Sequence, residues 1–114
     1  MKPTPSDDAD WRFPNPATPL GSPRYYAIRF APAAAHDRYA LLFAWYDTIR
    51  EIGRQPRDSG AARLKLDWWH EELARLGRGE PRHPLARAMA AGDIGRDSQL
   101  DALQVIVSAT EQEV

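Results

Sequence analysis

The sequence predicts an all-α fold, and three observations support this prediction. Apolar residues recur at intervals of three and four along several segments, which is the period of an amphipathic helix. Serine, aspartate and proline stand where such segments begin, and glycine or proline stand where they end. The chain contains no β-hairpin signal and no internal repeat. We therefore expect helices that pack on one another without a sheet.

The composition is typical of one small globular unit. The chain has 114 residues, of which 43% are hydrophobic and 27% are charged, and its net charge is −1. Since neither sign of charge is in excess, we expect no nucleic-acid partner. The absence of cysteine excludes disulfides, thiolate nucleophiles and cysteine-bound metals. The longest apolar run, residues 39–46, is too short to span a bilayer, and the acidic amino terminus differs from a signal peptide. We expect no transmembrane segment and a cytoplasmic location.

Residues 1–21 are predicted to form an extended, proline-rich arm. Seven of the ten prolines lie within the first 32 residues, and three aspartates add charge to the same stretch. Such a segment forms neither a regular helix nor a central strand. Its aromatic residues, Trp11 and Phe13, either stay exposed or dock on the body of the protein, and the sequence leaves both outcomes open. Residues 22–114 are expected to form the helical region.

Two helices are predicted after the arm. Ser22 is a suitable N-cap, and Pro23 fits the first helical position, where its missing N–H costs nothing. This short helix should end near residue 30, because Pro32 forces the residue before it out of the helical region. A longer helix follows over about 33–53, and its apolar residues cover nearly all of its sides, so we expect it at the centre of the fold. These residues are Tyr39, Leu41, Leu42, Phe43, Trp45, Tyr46, Ile49 and Ile52.

The third predicted helix has the most regular pattern. It should begin with Asp58 or Ser59 as its N-cap and close at Gly77. Its apolar stripe, with spacings of four, three, four and three, consists of Ala62, Leu66, Trp69, Leu73 and Leu76. Charged residues beside the stripe, including Glu72 and Arg75, are expected to face water. This helix should therefore pack along one face only.

Two more helices complete the prediction. Pro84 opens a short helix over residues 84–91, and glycines interrupt the chain after it. Asp97 or Ser98 is expected to cap the last helix, which keeps helical spacing almost to Val114. Its apolar face consists of Leu100, Leu103, Val107 and Thr110.

Three blocks of the sequence carry a resemblance to a known family. They read SPRYYAIRFAP at 22–32, YALLFAW at 39–45 and AARLKLDWWHEELARLGRGEPRHPLARAM at 61–89. The third block is the most specific, because it combines a double tryptophan, an acidic pair, a Gly-Glu-Pro turn and a His-Pro-led helix in one order. Together the blocks resemble the amino-terminal portion of the squalene/phytoene synthase family. The likeness spans less than half of a full family domain.

The resemblance implies an all-α isoprenoid-synthase fold, whose active members join two prenyl diphosphates head to head. In those members magnesium ions, held by aspartates on two facing helices, stabilise the leaving diphosphate. The first cluster, typically Asp-Asp-x-x-Asp, belongs at the end of the second helix, and its acidic positions fall here on Arg50, Glu51 and Arg54. An arginine and a tyrosine that active members use near the diphosphate fall on Asp47 and Phe43.

Two cations at the motif positions favour loss of the reaction. Arg50 and Arg54 would repel magnesium, so we expect no metal site and no cofactor. Three interpretations of this region stay open. It is a salt-bridge ladder on the helix end, or the two arginines bind a diphosphate or another anionic head group directly. In the third, Asp47 and Glu51, four residues apart on one face, hold magnesium at a register shifted by three residues.

The resemblance also implies ligand contacts outside the motif. Ser22 aligns near a phosphate-contacting serine of the family, although its role as an N-cap explains it fully, and two tyrosines could line a prenyl channel. The predicted ligand-binding residues are Ser22, Tyr25, Tyr26, Phe43, Asp47, Arg50, Glu51 and Arg54. Asp47 and Glu51 would be catalytic only if the protein is active.

The sequence favours a family member that has lost prenyl transfer and acts as a lipid-binding, prenyl-diphosphate-binding or assembly-type protein. A branch with eroded aspartate clusters, resembling a mitochondrial assembly factor for a respiratory complex, belongs to the same family. One alternative is an active, magnesium-dependent prenyltransferase that uses Asp47 and Glu51 with a second aspartate cluster beyond Val114. The other is a generic helical interaction module. An exposed apolar face is expected, which a homo-oligomer or a protein partner could cover.

Overall fold

The computed structural model describes residues 10–54 and 58–114, and five α-helices contain most of these residues. They are α1 (Pro23–Arg29), α2 (His36–Gly53), α3 (Ser59–Gly77), α4 (Pro84–Ala91) and α5 (Ser98–Gln112), and a 3₁₀ turn, Ala33–Ala35, precedes α2. The described residues contain no strand, so the predicted all-α class is confirmed. Within them, no helix has both the length and the apolar composition that crossing a bilayer requires. The start of the predicted arm and the middle of the loop before α3 lie outside the described residues.

Side-chain caps begin three of the helices. Ser22 Oγ and Asp58 Oδ1 each accept a backbone N–H from the first turn of α1 and α3, at 3.1 and 3.0 Å. His83 Nδ1 caps α4 in the same way, because it accepts the amide N–H of Leu85 at 3.0 Å. The sequence did not predict this capping role. Asp97 occupies the N-cap position of α5 but makes no capping hydrogen bond. The predicted starts of α1, α3, α4 and α5 are therefore correct, whereas α2 begins at His36, three residues later than predicted, because residues 33–35 form a 3₁₀ turn. The predicted capping hydrogen bond of α5 is absent at Asp97.

The residue that closes α3 differs from the prediction. The helix ends at Gly77, as predicted, but the left-handed residue is Gly79, whose φ is 78°. The amides of Gly79 and of the residue after it bond back to carbonyls in the last turn of α3, at 3.0 and 2.8 Å, which is the Schellman pattern. Gly77 serves packing instead, since a Cβ there would lie 2.6 Å from Leu100 Cδ2.

The helix α2 lies at the centre of the fold, as predicted, because it contacts α1, α3, α4 and α5. The helices α3 and α5 also pack on each other, and α4 packs on α3. All five residues of the predicted α3 stripe are buried. The core consists of Leu41, Ala44, Trp45, Ile49, Leu66, Trp69, Leu73, Leu76, Leu85, Ala86, Met89, Ile94, Leu103 and Val107.

The described part of the amino-terminal arm is folded against α2. The side chain of Asn15 is almost completely buried and donates from Nδ2 to the carbonyl oxygen of Ala40 at 2.9 Å. Phe13 stacks on Tyr25 with 5.2 Å between ring centroids, and Trp11 packs against the core. Both aromatic residues therefore dock, which decides the question that the sequence left open. Residues 10–21 form turns on the body of the protein instead of extending from it.

Glu72, which the spacing predicts to face water, is completely buried. Its carboxylate accepts hydrogen bonds from Arg75 Nε at 2.7 Å and from the amides of Arg82 and His83 at 2.7 and 2.6 Å. Burial by itself would raise the pKa of Glu72, but these hydrogen bonds outweigh burial and lower it. The carboxylate thereby ties α3 to the turn before α4. The prediction was wrong because helical spacing cannot show which distant amides need an acceptor.

Candidate functional site

An apolar groove of about 490 Å³ runs between α2 and α5. This volume lies within the range of roughly 300–1,000 Å³ that is typical of small-molecule sites. One wall consists of Ala35, Arg38, Tyr39, Leu42, Phe43, Trp45 and Tyr46, and the other of Ile94, Gln99, Ala102, Leu103 and Ile106. Aliphatic and aromatic side chains form nearly all of this lining. Such a surface suits an apolar chain.

The helices α2 and α5 approach each other closely at their carboxyl ends, beyond the groove. A Cβ at Gly53, late in α2, would lie 2.6 Å from Cγ2 of Thr110, late in α5. The groove is lined by residues that come earlier in both helices. There Tyr39 and Leu42 keep 45% and 36% of their surface exposed, although their spacing predicts packing. The exposed apolar face expected from the sequence is therefore this groove face of α2.

Arg50 and Arg54, at two of the three motif positions, lie beyond the groove at the carboxyl end of α2. Arg50 Nη1 donates to Thr110 Oγ1 at 3.2 Å and forms an ion pair with Glu113, which follows α5. The hydrogen bond with Glu113 raises the pKa of Arg50, and the same bond lowers the pKa of Glu113. Among the described residues, the ion-pair partner of Arg54 is Glu51, at 3.9 Å, and both side chains are exposed. Arg50 is therefore a link between α2 and α5.

Asp47 binds a partner outside α2. Both of its carboxylate oxygens lie 2.9 Å from Arg24 Nη1 on α1, and this nitrogen also donates to the carbonyl of Ala17 at 3.2 Å. The Arg24 guanidinium lies over the ring of Phe43, with Cζ 4.6 Å from the centroid, in a cation–π contact. The predicted salt-bridge ladder is thus wrong for Asp47 and Arg50, whose closest partners belong to other elements.

The side chains at the motif positions do not fit a magnesium cluster. A hard divalent cation needs several oxygen ligands, and arginine supplies none. Asp47, which the shifted register would use, is engaged by Arg24, and Glu51 is exposed beside Arg54. Across residues 10–54 and 58–114, no three histidine, aspartate or glutamate side chains converge on one point. In the described region, the charged side chains near the end of α2 form ion pairs with one another or with neighbouring elements.

Three other predicted ligand-binding residues belong to α1 or its cap, outside the groove lining. Ser22 caps the helix, Tyr25 stacks on Phe13, and Tyr26 is 47% exposed. Phe43 is the predicted residue that does line the groove. The structure therefore places the predicted set around three separate features, which are the α1 cap, the Arg24 contact and the end of α2.

Sequence reasoning missed most of the groove lining. The spacing assigns Tyr39, Leu42 and Tyr46 to packing, and it gives Arg38 and Gln99 no role. An apolar stripe predicts that something covers it, but it does not distinguish a neighbouring helix from a ligand. The sequence feature that could have indicated a groove is that α2 is apolar on nearly all sides, so it has more apolar surface than its neighbouring helices need to cover.

Comparison with protein families places the chain in a family. The family described as squalene/phytoene synthase matches residues 19–114. At the significance required, no curated protein and no solved structure matches the chain. The matched segment includes all five described helices and the groove between α2 and α5. The chain therefore belongs to the squalene/phytoene synthase family.

Proposed function

We propose that this protein holds an isoprenoid chain in the groove between α2 and α5 and does not transfer a prenyl group. The observation that carries the proposal is the contrast between the two parts of α2. Its groove face presents an apolar lining, whereas its carboxyl end presents Arg50 and Arg54 at positions where active family members carry aspartates. A site with an apolar surface for an isoprenoid chain, but with arginines in place of metal ligands, favours binding of the isoprenoid over its reaction.

The charges at the end of α2 support binding without ionisation of a diphosphate. Departure of a diphosphate requires positive charge on its oxygens, which magnesium supplies in active members. At the carboxyl end of α2, where the motif would lie, two guanidinium groups already have carboxylate partners, in the pairs Arg24 with Asp47 and Arg50 with Glu113. Stabilising a leaving group would require breaking these pairs. The chain's own residues therefore favour a ligand that stays intact.

Calorimetric titration of a non-hydrolysable farnesyl diphosphate analogue tests this proposal. The titration is made once with magnesium and once with EDTA, and binding of similar affinity is expected in both. Leu42→Glu, which puts a charge into the groove lining, should abolish binding. Leu64→Glu is the matched control, because Leu64 is an exposed leucine on α3 outside the groove, and its substitution should leave the affinity unchanged.

Two outcomes would contradict the proposal. Binding that requires magnesium and disappears in Asp47→Ala would favour an active site at the shifted register. No binding under either condition would mean that the groove takes no isoprenoid. A product assay with two equivalents of farnesyl diphosphate accompanies the titration, and no coupled product is expected.

A further inference from the structure

The two ends of the groove differ in charge. Among its lining residues in the described chain, Arg38 is the charged one, and it lies near the start of α2. Arg38 is exposed and takes part in no ion pair within the described residues. The adjacent Asp37 accepts the amide N–H of Phe13 at 2.9 Å and does not line the groove. Within the described chain, this end therefore offers a cation that has no ion-pair partner.

The other end is close to electrically neutral. The last lining residues there are Tyr46 and Ile106, and Arg50 and Thr110 follow one helical turn later in α2 and α5. Each arginine near this end faces a carboxylate. The pairs are Arg24 with Asp47, Arg50 with Glu113, and Arg54 with Glu51. A head group with negative charge would have to displace a carboxylate before it could bind an arginine here.

Gln99 adds a polar group at the same end as Arg38. Thr110 meets Gly53 late in both helices, so the first turn of α5 lies toward the start of α2. Gln99 belongs to that first turn and lines the groove. Its Oε1 accepts the amide N–H of Gly95 at 3.1 Å, and its NH₂ group is a further hydrogen-bond donor in the groove lining.

From this distribution we propose that the groove binds a single-chain amphiphile with its anionic head group at Arg38 and its apolar chain directed toward Tyr46 and Ile106. The inference rests on the proposed function and specifies the orientation of the ligand. This orientation is the reverse of the one that an aspartate motif at the end of α2 would impose. Eight residues separate Arg38 from Tyr46, which is roughly 12 Å along the helix and suits a short isoprenoid chain.

The test compares two probes in EDTA, farnesyl diphosphate and farnesol, by calorimetry on the whole chain. Arg38→Gln should lower the affinity for farnesyl diphosphate about fivefold, since it removes one exposed charge-assisted contact. The affinity for farnesol should stay the same, because its chain contacts are unchanged. Arg87→Gln, an exposed arginine on α4 outside the groove, is the matched control and should affect neither probe. Because both arginines are exposed, both variants should have the same melting temperature as the original protein.

The outcomes separate the inference from the proposed function. Farnesol binding together with unchanged diphosphate binding in Arg38→Gln overturns the orientation alone, and so does an equal loss for both probes. If Arg50→Gln lowers the affinity for farnesyl diphosphate and Arg38→Gln does not, the head group lies at the carboxyl end of α2, and the proposed orientation is again wrong. If the original protein binds neither probe, the proposed function is wrong and the inference is wrong with it.

A cross-linking experiment measures the orientation directly. A farnesyl diphosphate analogue with a diazirine at the far end of its chain is bound, irradiated and located by peptide mass spectrometry. Labelling at Tyr46 or Ile106 is the expected result. Labelling at Arg38 or Tyr39 would mean that the chain end lies where the inference puts the head group.

Discussion

The packed side of the molecule and the groove side use similar residues for different purposes. The packed side consists of α3, α4 and the covered face of α2, where Ala40, Leu41, Ala44 and Ile49 are at most 7% exposed. The groove side consists of α5 and the opposite face of α2, where Tyr39 and Leu42 remain partly exposed. Both faces of α2 show apolar residues at helical spacing. The neighbours that are available, and not the pattern, decide which face becomes core.

The largest expected effect is on the packed side, at Glu72. Glu72→Ala should lower the free energy of unfolding by about 3–5 kcal/mol, because Arg75 and two backbone amides lose their acceptor in a buried place. Urea denaturation followed by circular dichroism measures this. The matched control is Glu71→Ala, whose carboxylate is 74% exposed and lies 3.9 Å from the same arginine. It should change stability by about 0.5 kcal/mol or less, and equal losses would refute a special role for the buried carboxylate.

A matched pair of truncations compares the two faces of α2 directly. Ile49→Ala, at a completely buried position, should cost about 3 kcal/mol of unfolding free energy. Leu42→Ala, at a position that is 36% exposed in the groove, should cost about 1 kcal/mol and should weaken isoprenoid binding instead. Denaturation curves and titrations of both variants are needed. Similar destabilisation by the two changes would mean that the groove face is as tightly packed as the covered face.

The boundary between groove and close contact is tested at Gly53. Gly53→Ala should destabilise the protein by about 2 kcal/mol, because the added Cβ meets Thr110 Cγ2. Thr110 cannot rotate away freely, since its hydroxyl donates to the carbonyl of Ile106 at 2.9 Å. Adding Thr110→Ser removes the clashing methyl group and keeps the hydroxyl, so thermal melting of the double variant should recover most of the loss. Failure to recover would mean that α2 and α5 do not approach each other here.

The smallest effect is a dependence of stability on pH at His83. Burial lowers the pKa of His83 below its usual 6.5, and its Nδ1 must be unprotonated to accept the Leu85 amide. A pKa lowered by folding means that this contribution is complete above the unfolded value and is lost as pH falls through the folded one. Unfolding free energy should therefore decline as the pH falls below about 6.5. In His83→Asn, which keeps a capping acceptor without a titrating ring, the decline should be shallower, and an unchanged slope would exclude His83 as its source.

Local pattern was sufficient for much of the fold. The caps at Ser22 and Asp58 and the whole α3 stripe follow from residue type and spacing, which depend on interactions within a few residues. The burial of Glu72 could not be predicted in this way, because two of its donors are ten and eleven residues away. The helix α3 ends at Gly77 as predicted, but the left-handed residue that closes it is Gly79, because Gly77 is required for close packing against Leu100 of α5.

The site was harder to predict than the fold. The resemblance to the family drew attention to Arg50 as an expected motif position, but its partners Thr110 and Glu113 lie about sixty residues later in the chain. Asp47 likewise pairs with Arg24 on another helix, where helical spacing suggested partners within α2. A groove depends on where two helices separate, and no single helix pattern contains that distance. Residue spacing within one sequence does not show long-range contacts of this kind.

The link that Arg50 makes between α2 and α5 bears on which residues position 50 can accept. An aspartate there would put a second carboxylate beside Glu113 and would remove the donor to Thr110. It would thus loosen the contact between α2 and α5. Position 50 is therefore coupled through the fold to two positions that lie about sixty residues later in the chain, and a substitution at one of them changes what the others tolerate.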